Sequence, residues 1–163
     1  MKEKIINLTI TNIKEEGLKF SIDTLAKDLK ISKKTIYKIF HGKEELALSV
    51  YEKFFADCVL KAQTLVKTSK EKYEHELLSL YLDTFIMTND DIFNKFKLNT
   101  SISNFAKEKQ NEFWLLIKSY LLGDQDEDKN IKIILDSVFA NAIKLKLKTK
   151  QTNEIIEKLK VIL

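Results

Sequence analysis

The sequence predicts an all-α chain of about nine helices. Proline is absent and glycine occurs only three times in 163 residues, so the usual breakers of a helix are scarce. Leu, Lys and Glu, which lose little side-chain freedom in a helix, are abundant. Apolar residues recur at spacings of three and four, not at alternate positions. Hydrophobic residues make up 44% of the chain, enough to bury a core and exclude a disordered polymer.

The elements follow in order. Ile6, Ile10 and Ile13 share one face, with Ile5 and Leu8 flanking it, and predict a first helix over about 3–16 that stops at Gly17. Ser21 is a good N-cap for a second helix, whose Ile22, Leu25, Ala26 and Leu29 form one stripe. Ser32 caps a short third helix through about Phe40, and Gly42 breaks it. A long fourth helix starts near Lys43, where Glu44 and Glu45 favour its positive end. Its apolar residues include Leu46, Val50, Phe54 and Leu65. Residues 68–87 read as one helix capped at Thr68 or Ser69, and 89–98 as a short one. A helix near 101–122 holds Phe105, Phe113, Trp114 and Ile117 and ends at Gly123. GDQDEDKN is a charged loop. Ile131, Ile134, Leu135, Val138, Phe139, Ala142 and Ile143 then keep a clean helical spacing, and Ile155, Ile156, Leu159 and Ile162 give the last helix.

The net charge is +4, and all 28 basic residues are lysines. The first 46 residues hold ten lysines against seven acids, so most of the positive excess sits in the first quarter of the chain. That distribution suits an acidic partner. Cys58 is the lone cysteine, which fits a reducing compartment. In the opening MKEKIINLTITN, Asn7, Thr9, Thr11 and Asn12 interrupt any signal-peptide core, and the apolar run FWLLI (113–117) is far too short to span a membrane. A soluble cytoplasmic protein is the expectation.

The stretch from Ile31 to Lys43 contains four lysines, a tyrosine, a histidine and no acid. On a wheel of about 100° per residue, Ile36, Ile39 and Phe40 fall together, while Lys33, Lys34, Tyr37, Lys38 and His41 fall opposite them. The third helix therefore packs one side on the second helix and offers water a patch of lysines around an aromatic ring. Only about Lys30-Ile31-Ser32 separates the two helices. This is a helix-turn-helix layout, in which the second helix of the pair enters the DNA major groove. Lysines neutralise phosphates and release counterions. Tyr37 can bond a phosphate and lay its ring against thymine methyls, and Lys34 and Lys38 can reach guanine acceptors. Lys43, at a helix N-terminus, suits a phosphate, and Thr24 offers a further phosphate contact. With no arginine, bidentate guanine reading by that side chain is absent.

These residues resemble a known family. Ile5–Gly17, Phe20–Ala26, Ile31–Phe40 and Lys43-Glu44-Glu45-Leu46 look like the DNA-binding domain of the tetracycline-repressor (TetR/AcrR) transcriptional regulators. The resemblance covers about the first third of the chain. It implies a three-helix DNA-binding domain over 1–46, with its helix-turn-helix at about 24–43, and a helical ligand-binding and dimerisation domain over 47–163. It puts Lys33, Lys34, Thr35, Tyr37 and Lys38 on DNA-contact positions and Lys43 on a phosphate-clamping lysine. Lys30 stands where the family usually has glycine, so a lysine there must tolerate a left-handed conformation or shift the turn.

The resemblance also implies a pocket for a small apolar ligand, for which Phe85, Phe105, Phe113 and Trp114 are candidates, against the plainer reading of an aromatic core. Leu135, Val138, Phe139, Ala142 and Ile143, with Ile155, Leu159 and Ile162, are more apolar surface than a terminal hairpin hides alone. They predict a homodimer seam, as the family pairs its last two helices. His41 and His75 do not make a metal site of usual spacing. Asp124, Asp126 and Asp128 open like a calcium loop, but Lys129 and Leu135 stand where glycine and glutamate belong. Neither a nucleophile–His–acid set nor a glycine-rich phosphate loop is present, so neither an enzyme nor a cofactor is expected. The expectation is a homodimeric regulator, in the first instance a ligand-responsive repressor on a palindromic operator. The alternatives are a helical protein-interaction module that does not act through DNA, and a small helical enzyme.

Overall fold

The computed structural model describes residues 1–17, 20–69, 73–123 and 129–163. They are all-α. The order is α1 (Lys2–Glu16), α2 (Ile22–Asp28), α3 (Lys33–Ile39), α4 (Lys43–Thr68), α5 (Glu74–Met87), α6 (Asp90–Lys95), α7 (Thr100–Leu122), α8 (Lys129–Lys144) and α9 (Thr149–Leu159), closed by the 3₁₀ turn Lys160–Ile162. No strand occurs among the described residues. None of these helices is long and apolar enough to cross a membrane.

Two compact units share the chain. One comprises Met1–Asp57 and Ile86–Gln110, the other Cys58–Phe85 and Asn111–Leu163. In the first, α1 packs on α2 and α2 on α3. Its core holds Ile5, Phe20, Leu25, Ile36 and Phe40, none more than 2% exposed. The Tyr51 hydroxyl donates to the Met87 carbonyl at 2.7 Å, and burial pushes its pKa up, so it stays a donor. In the second unit Tyr81, Phe85, Trp114 and Phe139 form a ring cluster with centroids 5.2–6.0 Å apart. The buried Tyr81 hydroxyl donates to Asp136 at 2.6 Å, and Lys132 pairs with the same carboxylate.

The local signals act as expected at the N-terminal end. Gly17 ends α1 at φ 55, donating its N–H to the Ile13 carbonyl. Ser21 and Ser32 each accept the amide of the residue three further on, Thr24 at 3.1 Å and Thr35 at 3.0 Å. Such a cap contributes about 1 kcal/mol. Further along, the chain departs from expectation. Residues 68–87 are not one helix, because α4 runs on to Thr68. The Thr68 hydroxyl donates back to the Thr64 carbonyl at 2.8 Å instead of capping a new helix. The last helix starts at Thr149, where the Gln151 side chain accepts the Lys148 N–H at 3.0 Å.

Lys30 adopts the left-handed conformation, with φ 54. Its N–H donates to the Lys27 carbonyl at 3.0 Å, and the Ile31 N–H reaches the Ala26 carbonyl at 2.9 Å. This is a Schellman C-cap, which ends α2 with its last carbonyls satisfied. A lysine there carries a strain of about 1–2 kcal/mol that glycine avoids. Lys30→Gly should therefore stabilise the protein by about 1 kcal/mol after the extra freedom of unfolded glycine is set against it. Thermal unfolding should register a rise of about 2–4 °C. A fall would mean that the lysine side chain contributes more than its backbone costs.

Candidate nucleic-acid interface

The α2–α3 pair sets the site. Ile36 and Phe40 are fully buried and fix the inner side of α3, while Lys33, Lys34, Tyr37 and Lys38 are exposed. Tyr37 keeps 40% of its surface accessible at the middle of that outer face. No acid lies within Ile31–Lys43, and among the described residues neither Lys34 nor Lys38 meets an acidic partner. The face can offer ammonium donors and one phenol to an anionic ligand.

Both ends of the face are held by carboxylates from elsewhere. At the start, Lys33 Nζ lies 2.8 Å from Asp23 Oδ1 on α2, and this hydrogen bond raises the lysine pKa. At the far end, Glu45 Oε2 accepts the His41 backbone N–H and meets its Nδ1, both at 2.8 Å. Lys2 reaches the other oxygen of Glu45 at 3.9 Å and lies 5.4 Å from the Phe40 ring centroid. The Asp23 and Glu45 contacts are absent from any reading of the third helix alone. Only the packing of α2, α3 and the start of α4 brings them there.

The remaining expected contacts fall as follows. Thr24 and Thr35 are half-buried, and each hydroxyl bonds the capping serine, Ser21 at 2.8 Å and Ser32 at 2.9 Å. Where the serine donates in that pair, the threonine hydroxyl keeps its proton for another acceptor. Lys43 donates to the Lys97 carbonyl at 3.0 Å and lies 3.7 Å from Glu44. An ammonium has three protons, so that bond leaves donors over.

The expected dimer seam is divided. Leu135, Phe139, Ala142 and Leu159 are buried within the single chain, whereas Val138, Ile143 and Ile155 are half-buried and Ile162 is exposed. Ile133, Ile134, Leu145 and Val161 are exposed too, and of these the apolar spacing picks out only Ile134. Of the aromatic residues considered for a ligand, Phe85, Phe113 and Trp114 belong to the second unit and Phe105 to the first. Phe113 and Trp114 are packed, and two surface grooves, along α1 and α9, are lined by none of the four.

His75 meets Glu157 at 2.6 Å, with Lys160 3.1 Å from the same carboxylate. Glu71, four residues before His75 in the sequence, lies outside the described residues, as do Asp124, Asp126 and Asp128. Cys58 is buried. Among the described residues, no cluster of three His, Cys, Asp or Glu could hold a metal ion.

Comparison with known proteins adds one relative. The chain is 24% identical over 151 residues to a Bacillus subtilis (strain 168) protein named as an uncharacterized HTH-type transcriptional regulator, YvaF. The match covers 86% of this chain and 76% of that protein. No protein-family model matches the chain, and no solved structure matches it.

The Glu45 clasp has a pH signature. The His41 backbone N–H first, and then its ring, hold the Glu45 carboxyl below its ordinary pKa. A depressed folded-state value means that the contribution is full above the unfolded pKa and is lost as pH falls through the lower, folded one. Glu45→Gln should remove that part of the acid loss. Melting temperatures measured from neutral to acidic pH should then fall less steeply than in the native protein, and an unchanged slope would count against the clasp.

Proposed function

We propose that the chain is a DNA-binding transcriptional regulator of the TetR/AcrR type, with α2 and α3 as its helix-turn-helix. The single observation that carries this reading is the acid-free lysine face of α3, centred on Tyr37 and backed by the buried Ile36 and Phe40. A helix is about 10–12 Å across with its side chains, a fit to a major groove about 12 Å wide. The name of the Bacillus relative points the same way.

In this reading Lys34, Tyr37 and Lys38 face the base edges, with Lys33 and His41 beside them. Thr24, Thr35 and Lys43 take phosphates. Residues 1–46 form the DNA-contacting part, and 47–163 form the regulatory and dimerising part. Two copies bind a palindromic operator and repress by blocking a promoter. The dimer forms along α8 and α9. Ile134, Val138 and Leu145 lie on one stripe at helical spacing, with Ile155 on α9 and Ile162 in the turn that closes it, and all five keep exposed surface. Leu135, Phe139, Ala142 and Leu159 support that surface from inside. A small apolar ligand taken up among the rings around Phe85, Phe113 and Trp114 would part them and weaken DNA binding.

Tyr37→Phe removes one hydrogen bond to a charged acceptor and should weaken operator binding by at most about 1.5–3 kcal/mol. Tyr37→Ala also removes the apolar contact and should cost more. Neither should shift the melting temperature, because Ile36 and Phe40 carry the packing. Titration with DNA from upstream of the protein's own gene, beside thermal unfolding of both variants, checks this. Loss of the fold in Tyr37→Ala would move Tyr37 into the core and end the reading.

The dimer is tested at an exposed position. Ile134→Glu places a charge in the seam without touching the single-chain core, since Ile134 is 43% exposed. Sedimentation should show folded monomers, and operator affinity should collapse because two half-sites are no longer engaged together. A variant that stays dimeric puts the seam elsewhere.

A further inference from the structure

We propose that Asp23 sets the specificity of DNA binding by holding Lys33 in an ion pair that withholds one positive charge from the phosphates. This rests on the DNA-binding reading above. Lys33 is the first residue of α3 and Asp23 lies in the first turn of α2. Their charged atoms meet at 2.8 Å, with both side chains more than half exposed. The stretch Ile31–Lys43 has no acid of its own, so this carboxylate reaches the face from the preceding helix.

Phosphate neutralisation supplies nearly all non-specific affinity and carries no sequence information. A lysine already paired must give up its partner to neutralise a phosphate. If the pair persists, the carboxylate cancels the charge in place. Either way the face loses one effective contact on every duplex, while Lys34, Tyr37 and Lys38 remain to read bases. In a head whose cations are all lysines, that subtraction favours recognition over grip. Glu45 sits at the opposite end, but it also accepts the His41 backbone N–H and so shapes the chain. Asp23 acts on Lys33 through its side chain alone.

The experiment is a salt titration on a mixed-sequence DNA duplex, with melting temperatures measured alongside. Asp23→Asn should steepen the dependence of log affinity on log salt by about 0.9. The affinity ratio between about 50 mM and about 200 mM salt then widens by about 3.5-fold. Lys33→Gln in the native background should leave the slope unchanged, and the double variant should return to the native slope. An unaltered slope in Asp23→Asn, or a loss of about 0.9 in Lys33→Gln alone, overturns the inference. Should Asp23→Asn melt early, the Lys33→Gln arm decides. Binding with such slopes leaves the DNA-binding reading standing, whereas failure of the native protein to bind any duplex at low salt overturns both.

Discussion

The hydrogen bond from the Ile31 amide to the Ala26 carbonyl, at 2.9 Å, decides where α2 stops and where α3 can begin. It forces Lys30 into the left-handed region and turns the chain within a few residues. Ser32 follows at once and caps α3 through the Thr35 amide. The termination of one helix and the start of the next are thus one event. An extra residue in this joint would rotate the α3 wheel by about 100° relative to α2. Ile36 would move to the exposed place of Tyr37, and Thr35 would take its place in the core. The outward lysine face, the Asp23–Lys33 pair and the clasp of His41 by Glu45 all depend on that register.

Much of this was legible from residue types. Serines at 21 and 32 mark helix starts because their hydroxyls accept amides that the first turn leaves unpaired. Gly17 marks a stop because φ 55 costs it nothing. The failure at Thr68 has the same chemistry with the opposite outcome. A threonine hydroxyl accepts an amide ahead of it or donates to a carbonyl behind it, and local sequence does not say which. Here the four-residue backward bond to Thr64 won, so α4 ran on. At the other end, Lys148 caps α9 through its backbone N–H and the Gln151 side chain, a device that a scan for Ser, Thr, Asp or Asn at the cap passes over.

The charged face was legible as a pattern but not as a circuit. Wheel geometry puts lysines outward, yet it cannot supply partners from other elements. Asp23 meets Lys33 ten residues further along the chain, and Lys43 meets the Lys97 carbonyl across 54. Such pairs follow from how helices pack. The two C-terminal helices posed a related difficulty. An apolar stripe reads alike whether it faces its own chain or a second copy, and Leu135 and Phe139 proved to be buried in their own chain, against the Tyr81 cluster in the case of Phe139.

Lysine in the left-handed region recurs at Lys97 (φ 48) and Lys146 (φ 51), each with the paired hydrogen bonds seen at Lys30. The residue after each is apolar and half-buried: Ile31, Leu98 and Leu147. Partial burial of that apolar residue offsets part of the strain that glycine would have avoided, in a chain with only three glycines. At Lys97 the arrangement has a further use. The carbonyl of the left-handed residue lies beyond the end of α6 and accepts the Lys43 ammonium at 3.0 Å. Nearby, Lys95 donates to the Phe20 carbonyl at 2.7 Å, and the Phe20 and Phe96 rings lie 5.6 Å apart. The start of α4 and the segment before α2 are therefore both fastened to the end of α6. A movement of α6 would reach the α2–α3 pair through bonds of defined length, without any change inside the lysine face itself.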